Sequence, residues 1–104
     1  MVLVTSEASD NRVLIFRFYP VGYSGKDESN QDYIGLLNLD VYPAGRAKAK
    51  GFIAKDFCMT NTHIDEFVAL CKQHGVREIE NPKRGIMHGS VGLFIRRINE
   101  LLDV

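Results

Sequence analysis

Hydrophobic residues alternate with polar ones through the first half of the chain, with the period of two that is typical of β-strands. This alternation predicts strands over residues 12–19 and 33–42, and a short edge strand over residues 2–5. In the two longer strands the positions that share one side are apolar: Leu14, Phe16, Phe18, Leu37, Leu39 and Val41. Polar residues between the apolar ones of the second strand indicate an antiparallel sheet with one buried side.

A third extended stretch, residues 47–58, separates small or apolar side chains from basic ones. One side is expected to carry Ala47, Ala49 and Ile53. The opposite side carries a basic stripe of Arg46, Lys48 and Lys50. Gly51, inside the stretch, indicates a β-bulge.

After residue 60 the spacing of the apolar residues changes to the 3.6-residue period of an α-helix. Residues 63–74 are predicted to form a helix that Thr62 caps and that Gly75 terminates. Residues 76–80 then form a short strand, and a second amphipathic helix runs from Ser90 to the end of the chain.

The resulting order of strand, strand, strand, helix, strand, helix predicts an α+β fold. The expected architecture is a two-layer sandwich, in which a mainly antiparallel sheet of three to five strands is covered on one face by two helices. With 104 residues, the chain has room for a single domain, residues 1–104. The second sheet face keeps apolar residues such as Val13 and Ile15. Either the monomer covers them, or a second copy does so in a homodimer.

The chain is expected to be soluble and cytoplasmic. Residues 1–10 contain no Lys or Arg and only a short apolar run, so no signal peptide is expected there. The chain has no run of about 18 apolar residues, which a membrane-spanning helix would need. The two cysteines, Cys58 and Cys71, are too few and too far apart for a disulfide framework or a paired zinc motif.

Residue types that carry catalysis or bind metals are scattered along the chain. Cys71 falls on the apolar stripe of the first helix and is expected in the core. Cys58 near His63 is the alternative, a thiolate activated beside a helix N-terminus. Because the histidines show no ligand spacing, no metal, cofactor or enzymatic activity is expected.

The connection between the first two long strands, residues 20–32, is far longer than a hairpin needs. Loops of this length are typically functional or disordered, and its composition leaves both interpretations open. An exposed aromatic side chain with charged neighbours favours contact with a protein partner. The residues predicted for this contact are Tyr23, Lys26, Asp27, Glu28 and Asp32.

A second loop, residues 82–92, is basic, rich in glycine and continuous with the last helix. Free backbone amides at a helix N-terminus bind anions. The residues predicted for a phosphate, sulfate or carboxylate are Lys83, Arg84, Gly89 and Ser90. The alternative is that the glycines form a turn and Ser90 only caps the helix.

Thirteen basic residues balance thirteen acidic ones, so the whole chain offers no net field to attract a polyanion. The hypothesis that follows is a small non-enzymatic protein that binds a protein partner, of the inhibitor, immunity or accessory type. The alternative is a nucleic-acid or anion-ligand binder that uses the basic segments 46–50 and 83–90.

Overall fold

The computed structural model describes residues 2–6, 13–24, 26, 29, 31–55, 59–80 and 90–103. Within this part of the chain, five strands form one sheet in the order β1-β2-β3-β4-β5. Neighbouring strands are antiparallel, except for the parallel pair β4 and β5. The elements are β1 (Val2–Ser6), β2 (Val13–Phe18), β3 (Gly35–Val41), β4 (Arg46–Ala54), α1 (Asn61–Gln73), β5 (Glu78–Glu80) and α2 (Ser90–Leu102). The predicted α+β fold is confirmed.

Both helices share one hydrophobic core with the same face of the sheet. At its centre the Phe67 ring of α1 packs edge-on to Phe16, with ring centroids 4.6 Å apart, and lies 5.6 Å from Phe18. Phe94 of α2 approaches Phe67 at 5.7 Å. Burying an aromatic side chain of this size contributes about 2 kcal/mol, so these rings join the two layers.

The predicted bulge lies in β4, and it changes which side chains of that strand reach the core. Asn38 pairs with Gly51 but the next residue of β3, Leu39, pairs with Ala49, so Lys50 is the extra residue. Beyond the bulge the alternation is inverted: Phe52 packs against the core, while the Ile53 side chain is half exposed. The prediction that Ile53 shares a side with Ala47 and Ala49 is therefore wrong.

The ends of α1 are fixed by local hydrogen bonds. The N-cap is Thr60, two residues before the predicted Thr62, and its hydroxyl accepts a bond from the His63 backbone N–H at 3.2 Å. At the other end, Gly75 has a positive φ of 75° and the Val76 N–H donates to the Cys71 carbonyl at 2.8 Å. This Schellman arrangement confirms Gly75 as the terminator of the helix and turns the chain toward β5.

Candidate functional site

The residues predicted in loop 20–32 make contacts within the chain. Tyr23 stacks on the buried Tyr19 with ring centroids 4.8 Å apart, and its hydroxyl donates to an Asp32 carboxylate oxygen at 2.5 Å. Lys26 and Asp32 are exposed, whereas Asp27 and Glu28 lie outside the described residues. The structure thus brings Tyr23 and Asp32 together in a hydrogen bond across the loop. Contact of these residues with a partner stays a prediction.

The basic stripe of β4 is matched by acids on the neighbouring strands. The Arg46 guanidinium lies 3.1 Å from a Glu80 carboxylate oxygen, and the Lys50 ammonium lies 3.5 Å from Asp40. Lys48 is opposite Asp40 on one side and Glu80 on the other. Because opposite charges alternate across this end of the sheet, the stripe offers no uninterrupted positive surface to a phosphate backbone.

Three residues of the predicted anion site, Lys83, Arg84 and Gly89, lie outside the described residues. Ser90 is the first residue of α2, as predicted. Anion binding by this segment stays a prediction.

The Cys71 thiol is unsuited to nucleophilic chemistry. Its side chain is buried in the core, and this desolvation raises its pKa to about 12. A thiol needs its ionised form to act as a nucleophile. Cys58, the other candidate, lies outside the described residues. Among the residues that the structure describes, no three His, Cys, Asp or Glu side chains lie close enough together to hold a metal ion.

His63 has a role in holding the fold together that sequence reasoning missed. Its buried ring accepts the Thr60 backbone N–H at Nδ1, at 3.2 Å, so the ring proton resides on Nε2. Nε2 donates to the Tyr19 carbonyl oxygen at 2.6 Å. The imidazole thereby joins the start of α1 to the end of β2, just before the loop that carries Tyr23. The only local signal is a threonine three residues before a histidine.

The face of the sheet opposite the helices, here called the open face, combines exposed apolar side chains with half-buried polar ones. Strand pairing aligns Leu3, Arg17, Leu36 and Ile53 in one row across four strands. The next row contains Thr5, Ile15, Asn38 and Gly51. Leu3 is 42% exposed and Ile53 is 50% exposed, while Ile15 and Leu36 are half-buried. Within the described part of the chain, no helix or strand covers this apolar row.

Two polar side chains within the open face have unsatisfied hydrogen-bonding atoms. Arg17 Nε and Asn38 Oδ1 are both hidden from solvent, and neither has a hydrogen-bond partner. The Arg17 guanidinium is only partly satisfied, by a bond from its NH1 group to the Thr5 hydroxyl at 3.2 Å. Leaving a buried polar atom unpaired costs about 1–3 kcal/mol, so this face carries a penalty that a binding partner would relieve.

A cleft of about 400 Å³ lies between β5 and α2, where no site was predicted. Its lining carries exposed charges of both signs, and the Asn99 amide, which also lines the cleft, is bonded to the Ile79 backbone. The cleft therefore offers solvated charges with no buried polar group left to bind a ligand.

Neither described helix has the length and apolar content that a membrane crossing needs. Comparison with protein-family models, curated proteins and solved structures finds no match to this chain.

Proposed function

We propose that this protein binds another protein and that the open face is the contact surface. The single observation that carries the proposal is the set of apolar side chains Leu3, Leu36 and Ile53, which are exposed or half-buried on a sheet face that no described helix or strand covers. A monomer normally buries such a face or uses it for recognition. A non-enzymatic function in the cytosol belongs to the same proposal, and the buried free thiol of Cys71 fits a reducing compartment.

The chemistry of the open face also specifies the kind of partner surface that fits it. One end is apolar, and the other carries charges that are already paired within the sheet, as in Arg46 with Glu80. A strongly charged partner would gain little there, because it would have to break those pairs. The partner is therefore a protein surface that presents apolar side chains to the apolar end and carries no strong excess of either charge.

The test compares capture by the full chain with capture by two matched variants. Ile53→Glu places a charge in the apolar row, while Val21→Glu makes the same change at a loop residue that is 59% exposed. Each bait is incubated with a lysate of the native host, with and without nuclease, and bound proteins are quantified by mass spectrometry. We expect one protein that wild type and Val21→Glu recover in equal amounts and that Ile53→Glu recovers at least about tenfold less.

Equal recovery by Ile53→Glu would refute the open face as the contact surface. Recovery that nuclease abolishes would favour the nucleic-acid alternative. Circular dichroism of each bait confirms that the variants are folded, which is expected because both positions are at the surface.

A further inference from the structure

We infer that the protein occupying the open face is a second copy of this chain, in a two-fold dimer that pairs Arg17 of each copy with Asn38 of the other. This inference rests on the proposed function and specifies its partner. Arg17 Nε is a donor without an acceptor, and Asn38 Oδ1 is an acceptor without a donor. Two copies of the chain supply both missing groups.

The strand register brings these two side chains close to one another. Arg17 is opposite Leu36 and Asn38 is opposite Ile15, so Arg17 and Asn38 are diagonal neighbours on β2 and β3. In an isologous dimer a contact between residue i and residue j occurs twice. Consider a two-fold axis that lies in the plane of the interface and crosses the line between these two side chains at its midpoint, at right angles. This axis places Arg17 of each copy against Asn38 of the other, so both contacts form together. Both residues are half-buried but the two atoms are hidden from solvent, so the pairing also requires a rotamer change that turns each atom toward the other copy.

The same axis also determines the apolar contacts. It runs diagonally across the sheet, past Ile15 and Leu36 and on toward Ile53. Residues near a two-fold axis meet their own counterparts, so each of these side chains packs against an apolar side chain of the other copy. The charged residues of β4 and β5 lie away from the axis, at the rim, where an interface is normally polar.

Charge and area are consistent with self-association. The formal net charge is zero at pH 7, so two copies meet without net repulsion. Five strands about 4.8 Å apart, with about six residues each, give a face of roughly 500 Å². Two such faces bury about 1,000 Å², near the lower limit for a specific complex. The expected dimer is therefore weak, with a dissociation constant in the micromolar range.

The first measurement is the oligomeric state of the purified full chain, by sedimentation equilibrium up to about 200 μM, which is well above a micromolar dissociation constant. We expect a reversible monomer–dimer equilibrium that Ile53→Glu weakens at least about tenfold and that Val21→Glu leaves unchanged. A wild-type chain that is monomeric throughout this range would overturn the inference. So would a dimer that Ile53→Glu does not weaken.

The second measurement tests the reciprocal pair by mixing single variants. In Arg17→Ala or Asn38→Ala alone, both contacts of the dimer contain an unpaired group. In a heterodimer of the two variants, one contact is restored and the other has lost both partners. We expect the two mixed variants to associate about tenfold more tightly than either variant alone. Energy transfer between labelled copies measures this association. If mixing gives no gain, the pairing is refuted, since a bond within one chain cannot be restored by another.

The two proposals can fail separately. If the purified chain is monomeric but the lysate experiment recovers another protein that depends on Ile53, the dimer is wrong and the protein-binding function stands. If Ile53→Glu changes neither self-association nor capture, both proposals are wrong.

Discussion

Two neighbouring residues in the turn between β3 and β4 have positive φ angles, and only one of them is a glycine. Ala44 has a φ of 69° and Gly45 a φ of 80°. A methyl group at Gly45 would lie 2.7 Å from the Gly75 carbonyl oxygen. The Gly45 carbonyl also accepts the Arg77 N–H at 2.7 Å. The turn is thus packed against the segment that follows α1.

Substitutions at these two positions are expected to change stability in opposite directions. Gly45→Ala adds both backbone strain and a steric clash, and should lower the free energy of unfolding by about 3 kcal/mol. Ala44→Gly relieves the backbone strain of a positive φ, although glycine loses more conformational entropy on folding. It should raise the free energy of unfolding by about 0.5 kcal/mol. Urea denaturation measures both. Gly22→Ala is the control, because its φ is 85° but no atom lies within 4 Å, so it should cost less than Gly45→Ala.

His63 offers a second test at the level of one side chain. His63→Ala would leave the Thr60 N–H and the Tyr19 carbonyl without their ring partner and open a cavity in the core. We expect a loss of about 3 kcal/mol in the free energy of unfolding. His74→Ala removes the same type of side chain from the exposed C-cap of α1 and should change the free energy of unfolding by less than about 0.5 kcal/mol. Equal effects at the two positions would contradict the structural role of the buried ring.

At the scale of elements, β5 shows how an exposed sheet edge is closed by a side chain. Asn99 of α2 accepts the Ile79 N–H at 2.8 Å and donates to the Ile79 carbonyl at 2.7 Å. Its amide therefore replaces the backbone of a sixth strand. Such edges otherwise invite pairing with another chain.

Asn99→Ala should therefore act on both stability and solubility. We expect the free energy of unfolding to fall by about 2 kcal/mol, since two backbone groups lose their partner. Hydrogen exchange at the Ile79 amide should accelerate more than at Ile95, which lies in the middle of α2. The neighbouring, exposed Glu100→Ala is the control. A protected Ile79 amide in Asn99→Ala would show that something other than Asn99 closes the edge.

The local pattern of the sequence predicts the type of every described strand and helix but not the details that depend on distant partners. Alternation identifies β2 and β3, yet one extra residue at Lys50 inverts the sides of Phe52 and Ile53. Thr60 and Thr62 both satisfy the rules for a helix cap, and the reciprocal bonds between Thr60 and His63 place the cap at Thr60. The bond from the His63 ring to the Tyr19 carbonyl, 44 residues away, could not be predicted from the local pattern. Rules based on the local sequence pattern do not include contacts between residues that are distant in the sequence.

The same limitation applies to the surfaces of the whole molecule. Arg46, Lys48 and Lys50 all lie on β4, but the pairing of Arg46 with Glu80 depends on the parallel pairing of β4 with β5, which the local pattern does not predict. Partner contact by Tyr23 and Asp32 stays a prediction, and their bond to each other could not be predicted from the sequence, because the two residues are nine positions apart in a loop without a regular pattern. The open face could be anticipated from Val13 and Ile15, whereas the row through Ile53 required the bulge.

The distribution of charge over the molecule predicts how binding through the open face responds to salt. Asp40 and Glu80 neutralise the cations beside them, so complex formation should release few counterions. We expect the dissociation constant of the dimer to change less than about threefold between about 50 and 500 mM NaCl, measured by sedimentation equilibrium, because exposed pairs at the rim are already screened. Binding that relied on the basic stripe would instead weaken by orders of magnitude over this range, since phosphate contacts are lost to competing cations. Arg46→Ala separates the two cases: it removes a rim charge and should leave the dimer intact, whereas it would weaken any complex held by that stripe.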